Sequence, residues 1–395
     1  MTVRLFEKEP YQSEFDATVE KADGEWVVLD RTCFYPGGGG QDPDTGTIDG
    51  VNVVEVKAEK EAVRHLVPGH LFQKGQSVTG KVDWPRRYDL MKGHSGEHLL
   101  FGSIQKMVDD LELVKIAITP EKKMVMVRGN IDWSIISECQ RTVNGVIGNG
   151  IESQDMVVSR DSPMLEQARV KLDRIHGNSI RIVSFGDFDM AACAGVHVRN
   201  TREIGMLLVT KFTSAKPAGD FEIEFEVGEK AIGKALELSE LALRSASILG
   251  ASPSTMLASL TNQKDELAKA KESLRTHAKD AFSKMEPMLI GDMKVYSGVF
   301  EGIDRKLLMD AANSIVEKSS SMCAFAADDD KLTLIVAANQ DLGIDCTMVL
   351  NDVLKQVSGR GGGSTTFATG GAFARGQGRH LVDEAVKKAS AIRQK

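Results

Sequence analysis

The chain has 395 residues, with 49 Lys+Arg against 56 Asp+Glu for a net charge of −7, and 42% of it is hydrophobic. At roughly 150 residues per domain, this length is expected to hold two or three domains, and the composition excludes a wholly disordered chain. Mild acidity argues against a protein that coats nucleic acid non-specifically, while leaving room for a local basic site.

The longest apolar stretch, Leu332 to Ala338 with Thr333 inside it, is far short of the ~20 residues a membrane span requires, so no membrane partner is expected. The first ten residues, MTVRLFEKEP, contain no apolar run that would mark the chain for secretion. Five scattered cysteines form no disulfide framework, and the odd count fits a reducing, cytoplasmic location.

In chain order, residues 1–90 read as short strands (Trp26–Asp30, Val51–Lys57, Gln76–Val82) between Gly, Pro and Asp clusters, a small β-rich unit. From Tyr88 to about Asp110 the pattern turns helical, with Leu90, His94, His98 and Phe101 on one side. Residues 111–227 then mix strands (Met124–Arg128, Ser179–Phe185, Gly205–Phe212, Phe221–Val227) with helical stretches (Ser134–Ile147, Pro163–Arg169). Residues 228–287 have long-helix composition, and Gly250 with Pro253 should break them into a helical hairpin. Leu260, Leu267, Leu274 and Ala281 recur every seven residues, but Lys264 and Lys271 spoil the seam, which favours a packed hairpin over a long coiled coil. Residues 288–395 alternate strands (Lys294–Phe300, Met322–Ala327, Leu332–Ala337) with helices (Arg305–Lys318, Thr347–Val357), a small α/β domain. From Val353 onwards eight basic residues face only Asp383 and Glu384, a net +6. That is the footprint of a localised phosphate-binding surface, or, for Leu381–Lys395 alone, of a solvated helix.

Two clusters carry most of the chemistry. His94 and His98, within His94-Ser95-Gly96-Glu97-His98, lie four residues apart on one helical face, so both imidazoles can reach one ion. Cys193-Ala194-Gly195-Val196-His197 offers a thiolate and an imidazole. Together these two pairs, in a chain of eight histidines, make a ligand set suited to a single zinc ion per chain and not to magnesium or calcium. The first cluster also spells H-x-x-E-H, a metalloprotease pattern in which Glu97 would activate water, although such an enzyme expects a further carboxylate ligand in place of Cys193 and His197. Otherwise Glu97 reads as a solvated helix-surface residue. A third cluster, Cys33-Phe34-Tyr35-Pro36-Gly37-Gly38-Gly39-Gly40-Gln41 followed by Asp44-Thr45-Gly46, is either a backbone cradle for a ligand or a tight hairpin; it lacks the Lys-Ser/Thr of a nucleotide phosphate loop.

Phe34 to Gln41 with Asp44-Thr45-Gly46 resembles the glycine-rich signature that opens the editing domain of alanyl-tRNA synthetases and of the free-standing AlaX proteins. Val82-Asp83-Trp84-Pro85-Arg86-Arg87-Tyr88-Asp89-Leu90-Met91 leading into His94 resembles the entry to that family's zinc helix, and Cys193 to His197 its second ligand pair. Ser358-Gly359-Arg360-Gly361-Gly362-Gly363-Ser364 with Thr369-Gly370-Gly371-Ala372 resembles the C-Ala domain of the synthetase, related to the DHHA family. The family's cysteine motif commonly reads Cys-Gly-Gly-Thr-His, and its helix carries alanine where Gly96 stands and a non-acidic residue where Glu97 stands.

The resemblance implies an α+β chain with a β-barrel-like domain (1–90), a two-layer α/β zinc editing domain (91–227), a helical hairpin (228–287) and a C-Ala-like tRNA-binding domain (288–395). It implies zinc-dependent hydrolysis, in trans, of serine or glycine esterified to alanine tRNA; the alternative is an inactive tRNA-binding homologue that keeps a structural zinc. Gly39, Gly40, Gln41, Ser95 and Glu97 are then expected in the pocket, with Ser95 meeting either a substrate hydroxyl or its own helix backbone. Arg86, Arg87, Lys92, Arg360, Gly361, Gly362 and Arg375 are expected to meet tRNA. A homodimer through the hairpin and the C-terminal domain is a further expectation.

Overall fold

The computed structural model describes residues 2–172, 175 and 177–393, so Lys395 of the basic tail lies outside the described residues. The chain divides into two compact units, Met1–Ser245 and Ala246–Lys395. The class is mixed α+β, and among the described residues no helix is long and apolar enough to cross a membrane.

The first unit opens with seven antiparallel strands in the order Val51–Val53, Gly46–Ile48, Ser77–Val82, Glu14–Asp23, Trp26–Leu29, Ala62–Leu66, Glu55–Glu59. Its two edge strands are separated in sequence only by Val54, so the sheet curls into a nearly closed barrel. Alternation drives it: Phe15, Ala17 and Val19 point inward while Glu14, Asp16 and Thr18 face water. Val51–Lys57, expected as one strand, is two, because the N–H of Val54 turns away to bond Leu66 O at 2.9 Å.

Next comes the element that carries the site, a helix over Trp84–Gln105. It begins four residues before the expected Tyr88, since Asp83 caps it by accepting from the Arg86 N–H and Pro85 stands in its first turn. Residues 93–104 are buried on all sides, which is why the apolar pattern of this helix is not one-sided. It packs against the helix Trp133–Asn149 and against a four-stranded antiparallel sheet ordered Glu112–Ile118, Lys123–Arg128, Asp220–Val227, Leu207–Ser214. A three-stranded sheet, Ser153–Ser159, Ser179–Phe185 and Asp189–Ala192, brings the Cys193 segment to the same helix. Pro163–Arg169, expected as a helix, is only a 3₁₀ turn over Pro163–Glu166. Beyond it the backbone of Arg169 is drawn to a sheet edge, donating to Met190 O and accepting from Ala192 N–H.

Helices follow over Gly228–Ile248 and Met256–Ser283, with Gly250 between them at φ 62°. In the second, Leu260, Leu267 and Leu274 are exposed.

The second unit is built on a six-stranded mixed sheet ordered Met288–Ile290, Met293–Phe300, Ser321–Asp328, Leu332–Ala338, Phe367–Ala372, Arg360–Gly363. Every residue of Ser321–Asp328 is buried: Met322, Ala324 and Ala326 face the helices Cys346–Leu354 and Gly378–Arg393, while Cys323, Phe325 and Ala327 face Arg305–Lys318. The Gly359–Gly363 segment contains an edge strand. Its glycines allow close packing, since a Cβ on Gly361 would meet Leu350 Cδ2 at 2.5 Å and the Gly370 Cα at 2.7 Å.

Candidate metal centre and its pocket

His94 and His98 sit on the buried helix, and Cys193 and His197 follow the strand Asp189–Ala192; one ligand atom from each lies within 4.8 Å of all the others. Cys193 Sγ is 3.5 Å from His94 Nε2 and 3.3 Å from His197 Nε2. For zinc–sulfur and zinc–nitrogen bonds of about 2.3 and 2.0 Å in a tetrahedron, the sulfur-to-nitrogen separation is about 3.5 Å. The donor spacing therefore fits that ion.

The partners of the three imidazole rings fit as well. His94 Nδ1 lies 2.8 Å from Gln41 Oε1, His98 Nδ1 lies 2.9 Å from Asp189 Oδ2, and His197 Nδ1 lies 3.2 Å from Ser95 Oγ. The Gln41 amide orientation is fixed by chemistry: its oxygen also accepts from the Val196 N–H at 3.3 Å. The proton of His94 is therefore on Nδ1, leaving a lone pair on Nε2 towards the sulfur. Asp189 is in turn held by Arg169 Nε and Nη2, each at 2.9 Å. Burial alone would raise the Asp189 carboxyl, but the hydrogen bond from His98, with the charges of His98 and Arg169, holds it at about 2. Burial would likewise raise the Cys193 thiol, yet the His94 and His197 rings bring it well below its usual range, towards the thiolate that binds metal. Arg181 Nη1 clasps this segment by donating to the carbonyls of Cys193 and Gly195 at 3.1 and 2.8 Å.

Gly195 is required by contact, since a Cβ there would lie 2.2 Å from His94 Cε1. The glycine run is a tight hairpin and part of the site at once. Gly37 to Gly40 all have positive φ, and Gly38 and Gln41 exchange two backbone hydrogen bonds of 3.0 Å. Tyr35 Oη donates to Gly38 O at 2.9 Å, and the Ile118 N–H donates to Gly40 O at 2.7 Å, which pins the turn beside His94. A cavity of about 750 Å³ opens next to the cluster, lined among others by Gly39, His94, Glu97, His98, Arg169 and Cys193.

Several expected roles change. Ser95 is fully buried; its hydroxyl meets His197 Nδ1 and accepts from the Val198 N–H at 3.1 Å, so it touches neither the pocket rim nor its own helix backbone. We expect Ser95→Ala to leave the preference between seryl and glycyl esters unchanged and to weaken zinc affinity by about 10–100-fold; metal titration checks this. Glu97, by contrast, is buried and lines the cavity, as the pocket expectation has it and unlike the solvated alternative, and burial pushes its carboxyl up.

Arg87 is no nucleic-acid contact. It is fully buried and ion-paired to Asp44, with Nη1 donating to Pro10 O at 2.8 Å and Nη2 to Cys33 O at 2.6 Å. Arg86 is half-buried and reaches Pro43 O at 3.2 Å, and Lys92 Nζ lies 4.3 Å over the Tyr88 ring. Arg375 is exposed and paired with Asp330 at 3.0 Å, whereas Arg360 is exposed with no ion-pair partner among the described residues. Arg393 and Lys388 pair with Asp292 and Asp352, so part of the +6 is neutralised by acids outside that segment.

Asp189, Arg169 and Arg181 escape a reading by motif. The one available signal is period two: Asp189 and Ala191 are buried on the strand that leads to Cys193, and Met190 is not.

Residues 5–86 match the family described as tRNA synthetases class II (A), and residues 180–234, which include Cys193 and His197, match the Threonyl and Alanyl tRNA synthetase second additional domain. The alanyl-tRNA editing protein AlaX-L of Pyrococcus horikoshii is 28% identical over 408 residues, covering 98% of each chain. The alanine–tRNA ligases of Ignicoccus hospitalis and Pyrobaculum calidifontis are 27% and 29% identical over 93% of this chain, which spans 41% and 42% of their lengths. Among solved structures, the C-Ala domain of Aquifex aeolicus alanyl-tRNA synthetase is 24% identical with a TM-score of 0.25, covering 28% of this chain and 100% of that one. The chain is thus similar from end to end to an AlaX-L protein, and the stretch that matches the second additional domain carries its cysteine–histidine pair.

Proposed function

We propose that the chain deacylates mischarged alanine tRNA in trans, hydrolysing the ester of serine and, by the same chemistry, of glycine. The observation that carries this reading is the His94–His98–Cys193–His197 cluster, each imidazole held by a polar partner, with His94, His98 and Cys193 in the wall of the Gly39 cavity. A synthetic site for alanine rejects glycine and serine poorly, because one methylene is worth only ~1–3 kcal/mol and an added hydroxyl is also hard to exclude; a second, hydrolytic site is the general remedy.

One zinc ion held by these four residues would supply positive charge beside the ester. Four protein donors complete a tetrahedral shell, so positioning of the ester and of the attacking water falls to the chain's own polar atoms. Gln41 fits that task. Its Oε1 is committed to His94 and Val196, while its buried Nε2 has no partner and can donate to a substrate oxygen. Gln41→Ala should slow deacylation by about 10²-fold. Zinc content at saturating metal should be unchanged, since all four ligands remain; paired rate and metal measurements check both.

Residues 288–395 would recognise tRNA in this proposal, with Arg360, Gly361, Gly362 and Arg375, joined by Arg86 and Lys92, meeting its backbone. The CCA end is common to every tRNA, so discrimination has to come from another surface, and phosphate contacts position a nucleic acid without reading its sequence. Binding should then fall steeply with salt. The test of the activity is release of serine from Ser-tRNA(Ala), with Ala-tRNA(Ala) as the control that should survive.

A further inference from the structure

Two buried polar atoms beside the metal cluster have no partner, and they are of opposite kind. Gln41 Nε2 is a donor without an acceptor, and Glu97 Oε1 is an acceptor without a donor. Each costs free energy to leave unpaired, so each marks a place where a ligand can repay it. Glu97 lies one helical turn from His94 and adjacent to His98, is 1% exposed, and lines the same cavity as both. The nearby cation, Arg169, is turned to Asp189 and grips both of its oxygens through two of its nitrogens, with no hydrogen bond to Glu97. What the carboxyl lacks is a donor, and what suits a carboxylate best is a cationic one.

Resting on the deacylase reading above, we infer that Glu97 accepts a hydrogen bond from the substrate's α-amino group, so that the site takes esters of free amino acids and not esters lacking that group. The α-amino group is the donor that seryl and glycyl esters share; the serine hydroxyl is absent from glycine. Gln41 Nε2, being a donor, is left to meet an oxygen. Glu97 sets the class of substrate, and it does so by binding, without moving a proton.

The experiment compares Ser-tRNA(Ala) with its glyceroyl counterpart, in which a hydroxyl replaces the α-amino group at nearly the same size. The zinc-loaded wild type should prefer the amino ester by on the order of 10- to 100-fold in kcat/KM. Glu97→Gln, which keeps the volume of the buried side chain, should bring that preference to within about threefold, chiefly through KM for the amino ester. Its zinc content should equal that of the wild type. A wild type that cleaves both esters equally, or a Glu97→Gln variant that slows both by the same factor in kcat, overturns the assignment and leaves the deacylase reading standing. A wild type that cleaves neither ester overturns both. Calorimetry with a non-hydrolysable 3′-serylamido-adenosine and its α-hydroxy analogue gives an activity-free readout. Equal affinity of the wild type for the two would also overturn the assignment.

Discussion

Cys193→Ala should empty the metal site: zinc bound per chain is expected to fall from one to below about a tenth, and deacylation by at least about 10²-fold. Cys193 is the cluster's only sulfur, 3.3–3.5 Å from two imidazole nitrogens. No other thiol can substitute. Cys33, Cys139, Cys323 and Cys346 are all buried elsewhere, and burial pushes each thiol up, away from the thiolate that binds metal. The loss should be local. Asp189, Gln41 and Ser95 still hold the three histidines, so circular dichroism should match the wild type. Undiminished zinc in the purified variant would show that the metal sits elsewhere.

The second large effect is on stability. Arg87 and Asp44 form a fully buried ion pair, and Asp44 also accepts from the Tyr35 N–H at 2.7 Å at the head of the glycine turn. Removing one partner of such a pair strands the other charge in the interior, at a cost of about 3–5 kcal/mol. Arg87→Ala should therefore lower the Tm of the first unit by on the order of 10 °C and loosen the Gly37–Gln41 turn. By contrast, a surface phosphate contact at this position would weaken tRNA binding and leave Tm in place, so calorimetric unfolding separates the two roles.

These corrections show what a linear sequence conveys and what it does not. The four clustered residues were legible because their spacing is short-range: i and i+4 on one helix, and a second pair four residues apart. The six-stranded sheet's central strands were legible for the same reason, as continuous apolar runs between helical patterns. Arg87 misled because a buried arginine and a surface arginine look alike in sequence; its partner Asp44 stands 43 positions away. Asp189 is 91 positions from His98, and Ser95 is 102 from His197. Such contacts to the imidazole rings are products of tertiary packing and leave no local periodicity. Helix propensity says nothing about burial, so the sequence leaves Glu97 open between a pocket position and a solvated helix surface; this helix is enclosed on every side.

The central claim, hydrolysis at this metal centre, is tested most directly by one reconstitution. The full-length protein is stripped with a chelator, dialysed, and assayed for serine release from Ser-tRNA(Ala) before and after one equivalent of zinc is restored. Stripped protein should be slower by at least about 10²-fold, and the stoichiometric ion should return the rate to that of untreated protein. Equal rates with and without metal, or no serine release in either state, would contradict the account.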